Sequence, residues 1–138
     1  MATTEKTPVY ISFDYDHDRD LKDLLVGQSR FKDSPFAIVD HSIKKETKAW
    51  KADAKTRVGR AFVVIVICGL HTDTAVGVTE EIKIARSLGV KYRLLRGHKD
   101  GQPRRPRGTS WPFDPIYDWT WGNLRQMTDR RPLWKKIW

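Results

Sequence analysis

The run Phe62-Val63-Val64-Ile65-Val66-Ile67-Cys68, closed by Gly69, decides the fold. Seven consecutive apolar residues, mostly β-branched, describe a strand buried on both faces, since a strand with one wet face would alternate polar and apolar side chains. Such a strand needs a covering layer on each side, and the flanking sequence supplies them. Upstream, Val9-Tyr10-Ile11-Ser12-Phe13 reads as a first strand, stopped by Asp14-Tyr15-Asp16-His17-Asp18. Leu21, Leu24, Leu25 and Phe31 then repeat at roughly helical spacing, with Asp16 or Asp18 as the cap, until Ser34-Pro35 breaks the helix. Phe36-Ala37-Ile38-Val39-Asp40 reads as a second strand, and Thr47 opens a polar helix through Trp50, Ala54, Val58 and Ala61. Downstream of Gly69, a helix from about Thr74 to Leu88 ends at Gly89, a suitable C-cap, and Lys91-Tyr92-Arg93-Leu94-Leu95 is a fourth strand.

Strands alternating with helices imply right-handed βαβ units around a mostly parallel sheet. The expected fold is α/β, a small flavodoxin-like three-layer sandwich of four to five strands in the order 2-1-3-4. A fifth strand is not visible: residues 97–115 are rich in Pro and Gly and read as an irregular loop. Tyr117 to Met127 reads as a last helix with Trp121, Leu124 and Met127 inward. The 138 residues suit a single domain, with its core over residues 8–128 and a tail over 129–138.

Composition narrows the class further. Apolar residues at 39% and charged residues at 31% exclude a disordered chain, a collagen and a coiled coil. The single Cys68 excludes an intramolecular disulfide framework and a four-Cys zinc site. No apolar run reaches the roughly 18 residues of a membrane span. The N-terminal Met1-Ala2-Thr3-Thr4-Glu5-Lys6 has no signal-peptide core, so a cytoplasmic location is expected. The net charge of +9 is uneven: residues 70–138 hold 14 basic and 7 acidic side chains, together with Trp111, Trp119, Trp121, Trp134 and Trp138. Arg93, Arg96, Lys99, Arg104, Arg105 and Arg107, followed by Trp111, therefore raise a nucleic-acid reading. Against it stands a solvated loop, a field that attracts anionic nucleotides, or an assembly surface, and these are preferred.

Ligands of an open doubly wound sheet bind beyond the carboxyl ends of its strands, where the strand order switches. Here that crevice lies between the first and third strands. It receives Asp14, Tyr15 and Asp16 from one side and residues 69–74 from the other, with Asp40, His41 and Ser42 nearby. Neither G-x-G-x-x-G nor a P-loop occurs. On the third helix, Ala75, Val78, Ile82 and Ala85 form one apolar face, and Glu81 falls at its margin, about 60° from the centre, while Glu80 faces solvent. A carboxylate there can point into a pocket, although a solvated acid near a helix N-terminus is the more ordinary occupant. His17, His41, His71 and His98 lack ligand spacing, so no metal is expected. The acids of residues 14–20 suit a helix N-terminus better than a cation site. Cys68 is expected to be an inert core thiol rather than a nucleophile paired with His71.

Together these segments carry a resemblance. Val9-Tyr10-Ile11-Ser12-Phe13-Asp14-Tyr15-Asp16 resembles the opening of TIR-like domains, with the bacterial Thoeris defence proteins of the ThsB type as nearest relatives. Residues 62–72 resemble that family's central strand and following loop, Val78-Thr79-Glu80-Glu81-Ile82-Lys83-Ile84-Ala85 its helix, and Gly89-Val90-Lys91-Tyr92 its return strand. The similarity covers about residues 8–97. It implies a TIR-like fold and cleavage of NAD at the nicotinamide–ribose bond, giving ADP-ribose or a cyclic ADP-ribose isomer that activates a separate effector protein in antiphage defence. NAD is then substrate and no cofactor is implied. The family's catalytic glutamate falls on Glu81. Phe13, Asp14, Tyr15 and Asp16 would line one side of the substrate, His41 and Ser42 the opposite wall, and Gly69, His71 and Thr72 the loop beside it. Many catalytic relatives carry a Ser and a Trp ahead of the glutamate, where this chain has Ala75 and Gly77. A non-catalytic adaptor or nucleotide sensor that acts by self-association is the alternative, and a basic nucleic-acid-binding module a lesser one. Self-assembly, as a homo-oligomer, is expected in the first two cases.

Overall fold

A computed structural model describes residues 5–39, 49–109, 114–132 and 135. In it β3 (Val63–Cys68) runs down the middle of a five-stranded sheet in the order β2-β1-β3-β4-β5, every neighbouring pair parallel. Around it lie β1 (Thr7–Ser12), α1 (Arg19–Ser29), β2 (Phe36–Ile38), α2 (Trp50–Gly59), a 3₁₀ turn at Thr72–Thr74, α3 (Val76–Leu88), β4 (Lys91–Arg96), β5 (Ile116–Tyr117) and α4 (Trp121–Met127).

All six residues of β3 are buried, as an unbroken β-branched run requires. Their alternation splits the core into two layers. Val63, Ile65 and Ile67 face α1 and α4, with Val9, Ile11, Phe13, Leu21, Leu25, Phe36, Leu124 and Met127. Val64, Val66 and Cys68 face α2 and α3, with Tyr10, Val58, Val78, Ile82, Ala85 and Leu94. The expected flavodoxin-like, three-layer α/β sandwich is therefore what forms. Gly89 ends α3 at φ 71°, the left-handed conformation that glycine takes without a Cβ penalty.

The structure departs from the sequence reading in several places. A fifth strand exists: Ile116 and Tyr117 pair with Leu94 and Leu95. The last helix accordingly starts at Trp121 rather than Tyr117, and the Thr120 side chain accepts a capping bond from the Asn123 N–H at 3.1 Å. Leu24 and Phe31 are exposed, because the buried stripe of α1 runs through Leu21, Leu25, Val26 and Ser29. Asp18 sits at the N-cap of α1, yet its side chain makes no capping bond. Ala61 follows α2 instead of lying in it. Thr47 and Asp40 lie outside the described residues.

The β4–β5 connection contains no helix among its described residues. It is lashed across the carboxyl end of the sheet by backbone bonds from Gly97 N–H to Cys68 O (2.9 Å) and from Arg104 N–H to Gly69 O (2.8 Å). Arg86 on α3 reaches the Gly108 carbonyl at 3.0 Å. Several cations of the basic tract are engaged internally: Arg96 with Asp118 and the Gly101 carbonyl, Arg93 with the Tyr92 carbonyl, and Arg105 with the Asp114 carbonyl. Arg104, Arg107 and Lys99 are exposed. No helix among the described residues is long and apolar enough to cross a membrane.

Candidate functional site

The turn after β1 and the start of α3 enclose a cleft of about 420 Å³ where the strand order switches. Phe13, Asp14, Tyr15, Asp16 and His17 form one side, and the segment from Thr74 to Val78 forms the other. Of the expected substrate-contacting residues, the structure brings Phe13, Asp14, Tyr15 and Asp16 together here. The turn is held in shape by its own side chains. Asp14 accepts the Asp16 N–H at 3.1 Å and pairs with His17 Nδ1 at 2.7 Å. The Arg19 guanidinium lies 4.3 Å above the Tyr15 ring, and its Nε donates to the Tyr15 carbonyl at 3.0 Å.

Trp50, the first residue of α2, also lines the cleft. The sequence placed it in a helix but gave no sign of what it faces, because the approach of α2 to the β1 turn is a long-range packing event. It supplies an aromatic wall in a cleft whose α3 side carries Ala75 and Gly77 in place of the expected Ser and Trp.

Gly69, His71 and Thr72 do other things. Thr72 is fully buried and its hydroxyl accepts the Gly69 N–H at 2.7 Å, fixing the turn that leaves β3. Gly69 lies so close to the Asp18 carboxylate that a Cβ would come within 2.3 Å of Oδ2, so only glycine fits. His71 is exposed and stacks on His17 with ring centroids 4.0 Å apart. His41 and Ser42 lie outside the described residues, as does Trp111.

Glu81 is 1% exposed, which replaces the expectation of a marginal, solvated acid. It lies in the α3 layer, one helical turn beyond Gly77, beneath the cleft rather than in its wall. Ser12 Oγ donates to Oε1 at 2.8 Å and the Tyr10 hydroxyl donates to Oε2. Glu80, in contrast, stands toward solvent between Lys51 (3.8 Å) and Lys83 (3.6 Å).

Asp18 is also buried, at 2% exposed, and its Oδ2 has no hydrogen-bond partner. Burial, reinforced by Asp14 and Asp20 and opposed by His98 and His17, raises its pKa above the usual carboxylate value. Burial likewise pushes the Cys68 thiol up to about 12, so it holds its proton and is no nucleophile at neutral pH. Among the described residues no group of three or more His, Cys, Asp or Glu is arranged to hold a metal ion.

Residues 10–97 match the family model described as Thoeris protein ThsB, TIR-like domain. No curated protein matches the chain. The matched span begins at Tyr10 and ends just after β4, so it contains Ser12, the β1 turn, the start of α3 and Glu81.

Proposed function

Because the chain belongs to the Thoeris ThsB TIR-like family, we propose that it is a signalling protein of antiphage defence that cleaves NAD at the nicotinamide–ribose bond, with Glu81 as the catalytic residue. The observation that carries this is the placement of Glu81. Its carboxylate is buried, doubly hydrogen-bonded and one helical turn from a nucleotide-sized cleft at the switch point. Side chains on a helix lean toward its N-terminus, so Glu81 leans toward the cleft end of α3.

The chemistry asks little more of the protein. When the C1′–N bond breaks, its electron pair goes to the nicotinamide ring nitrogen, whose positive charge is neutralised. The ribose is left as an oxocarbenium-like cation. A preorganised carboxylate stabilises that charge in a site of low dielectric. Attack at C1′ by water, with loss of a proton, gives ADP-ribose. Attack by another nucleophile of the same molecule closes a ring. The aromatic rings of Phe13, Tyr15 and Trp50 offer stacking surface for a base, and the backbone N–H groups opening α3 favour a diphosphate. Glu81 does not line the cleft, so on this reading the first turn of α3, which Ala75 caps without a side-chain bond, would open to let substrate reach it. The product would act on a separate effector, and neighbouring copies of the chain would assemble around the site.

Incubation of the purified chain with NAD under crowded conditions tests the reading. Nicotinamide release that disappears in Glu81→Gln is expected. Equal release from wild type and variant would dismiss it. The near-complete burial of Glu81 favours a second reading, a nucleotide sensor without turnover. That reading expects thermal stabilisation by NAD or ADP-ribose that survives Glu81→Gln, with no product formed.

A further inference from the structure

The α3-facing layer of the sheet contains a buried carboxylate held by two hydroxyls, whereas the buried hydroxyls of the opposite layer, on Thr7, Ser29 and Thr128, bond backbone carbonyls. Along β1, Val9 and Ile11 turn toward α1, together with Phe13 just beyond the strand, and Tyr10 and Ser12 turn toward α3. Tyr10 is 4% exposed, Ser12 not at all, and Glu81 1%. Apolar side chains of similar volume would pack this layer at no desolvation cost, so a purely architectural role does not account for three buried polar groups. Their arrangement does have a chemical logic. Each hydroxyl is a single donor, each carboxylate oxygen an acceptor, and one hydroxyl is assigned to each oxygen. Rotation of the carboxylate about its last torsion would break both bonds at once.

We propose that Tyr10 and Ser12 are positioning residues that clamp the Glu81 carboxylate in one orientation for reaction at the ribose. This rests on Glu81 being the catalytic residue. The clamp acts in the transition state, because a carboxylate already oriented and already desolvated has no reorganisation left to undergo when positive charge develops beside it. Neither Tyr10 nor Ser12 lines the cleft, so their loss is expected to fall on kcat and not on KM. Tyr10 carries the larger share, since its rigid ring fixes where the hydroxyl stands, whereas Ser12 is a short and rotatable donor.

The test uses the full chain with NAD as substrate. Tyr10→Phe is expected to lower kcat about tenfold to a hundredfold with KM within about twofold, and Ser12→Ala to lower it less. Ser12→Thr, which keeps the hydroxyl, is expected to stay within about threefold of wild type. The double variant Tyr10→Phe/Ser12→Ala falls no lower than Glu81→Gln, because residues acting through one group are not additive. Unchanged kcat in both single variants would overturn the proposal, as would equal losses in kcat and KM that Ser12→Thr fails to rescue. A readout free of turnover separates the clamp from the catalytic reading. Proton NMR of the wild type should show a slowly exchanging Tyr10 hydroxyl that vanishes in Tyr10→Phe and shifts in Glu81→Gln. If that signal is present and no nicotinamide is released, the catalytic reading fails and the positioning role falls with it, leaving only the bonded clamp. If the signal is missing from the wild type, the clamp itself is refuted whatever the turnover.

Discussion

Glu81 and Asp18 are the two most deeply buried carboxylates among the described residues, and they differ in what surrounds them. Glu81, in the layer beneath α3, has a hydroxyl donor on each oxygen. Asp18, at the N-cap of α1, has an Oδ2 without a hydrogen-bond partner, an Oδ1 4.0 Å from His98 Nε2, and the backbone of Gly69 packed against it. Burial is nearly equal at 1% and 2%, so it does not distinguish the two. Donor placement does. Glu81 is kept ready as an acceptor in a fixed pose, whereas Asp18 is squeezed into a junction between the turns that follow β1, β3 and β4.

Three substitutions put that contrast at risk. The largest effect belongs to Glu81→Gln, which keeps the shape and removes the charge. Its NAD-cleaving rate should fall by at least about a hundredfold, while its denaturation midpoint stays near that of wild type. A large loss of stability with a proportionate loss of rate would place Glu81 in the same structural class as Asp18. Next comes Gly69→Ala. Its new Cβ would stand 2.3 Å from Asp18 Oδ2 and 2.7 Å from Oδ1, and the displaced carboxylate has a helix start behind it. A destabilisation of about 1–3 kcal/mol in urea denaturation is expected, as for other overpacked sites. A neutral result would mean that the Asp18 junction is loose.

The smallest effect is that of Asp18→Asn, and it depends on pH. The pKa of Asp18 is raised in the folded chain by burial first and then by Asp14 and Asp20, against the opposing pull of His98 and His17. An acid with a raised folded pKa binds its proton more tightly when folded. Its contribution to stability is therefore best below the unfolded value, near 3.8, and declines as pH climbs through the folded value. Asp18→Asn removes that decline. The variant should gain in melting temperature over wild type as pH rises from about 4 toward neutrality, with the gap closing in acid. Parallel curves at all pH values would show that His98 and His17 already compensate the charge.

Much of the architecture was legible because it is written in local patterns. The run from Phe62 to Cys68 could be nothing but a strand covered on both sides, and Gly89 marked the end of α3 where it stands. β5 was illegible because two residues carry no periodicity, and only the neighbouring β4 makes Ile116 and Tyr117 a strand. Leu24 and Phe31 misled because helical spacing shows that a stripe exists and leaves open which edge of it is covered. At the site, Asp14, Tyr15 and Asp16 followed from the topology, and Phe13 from the family resemblance. Glu81 was visible as a candidate, but a helical projection could place it only at a margin. Its burial depends on Tyr10 and Ser12, 71 and 69 residues away, which read as ordinary members of a strand until α3 is laid over them. Trp50 was missed for the same reason.

Both lateral borders of the sheet are blunt. β2 pairs with β1 over three residues and β5 with β4 over two, and Pro115 immediately precedes the latter. A long open border is an invitation to strand-by-strand growth, and short outer strands with a nearby proline deny it. Neither described edge therefore offers another chain a long row of open backbone groups, so the sheet itself is protected from fibre-like extension.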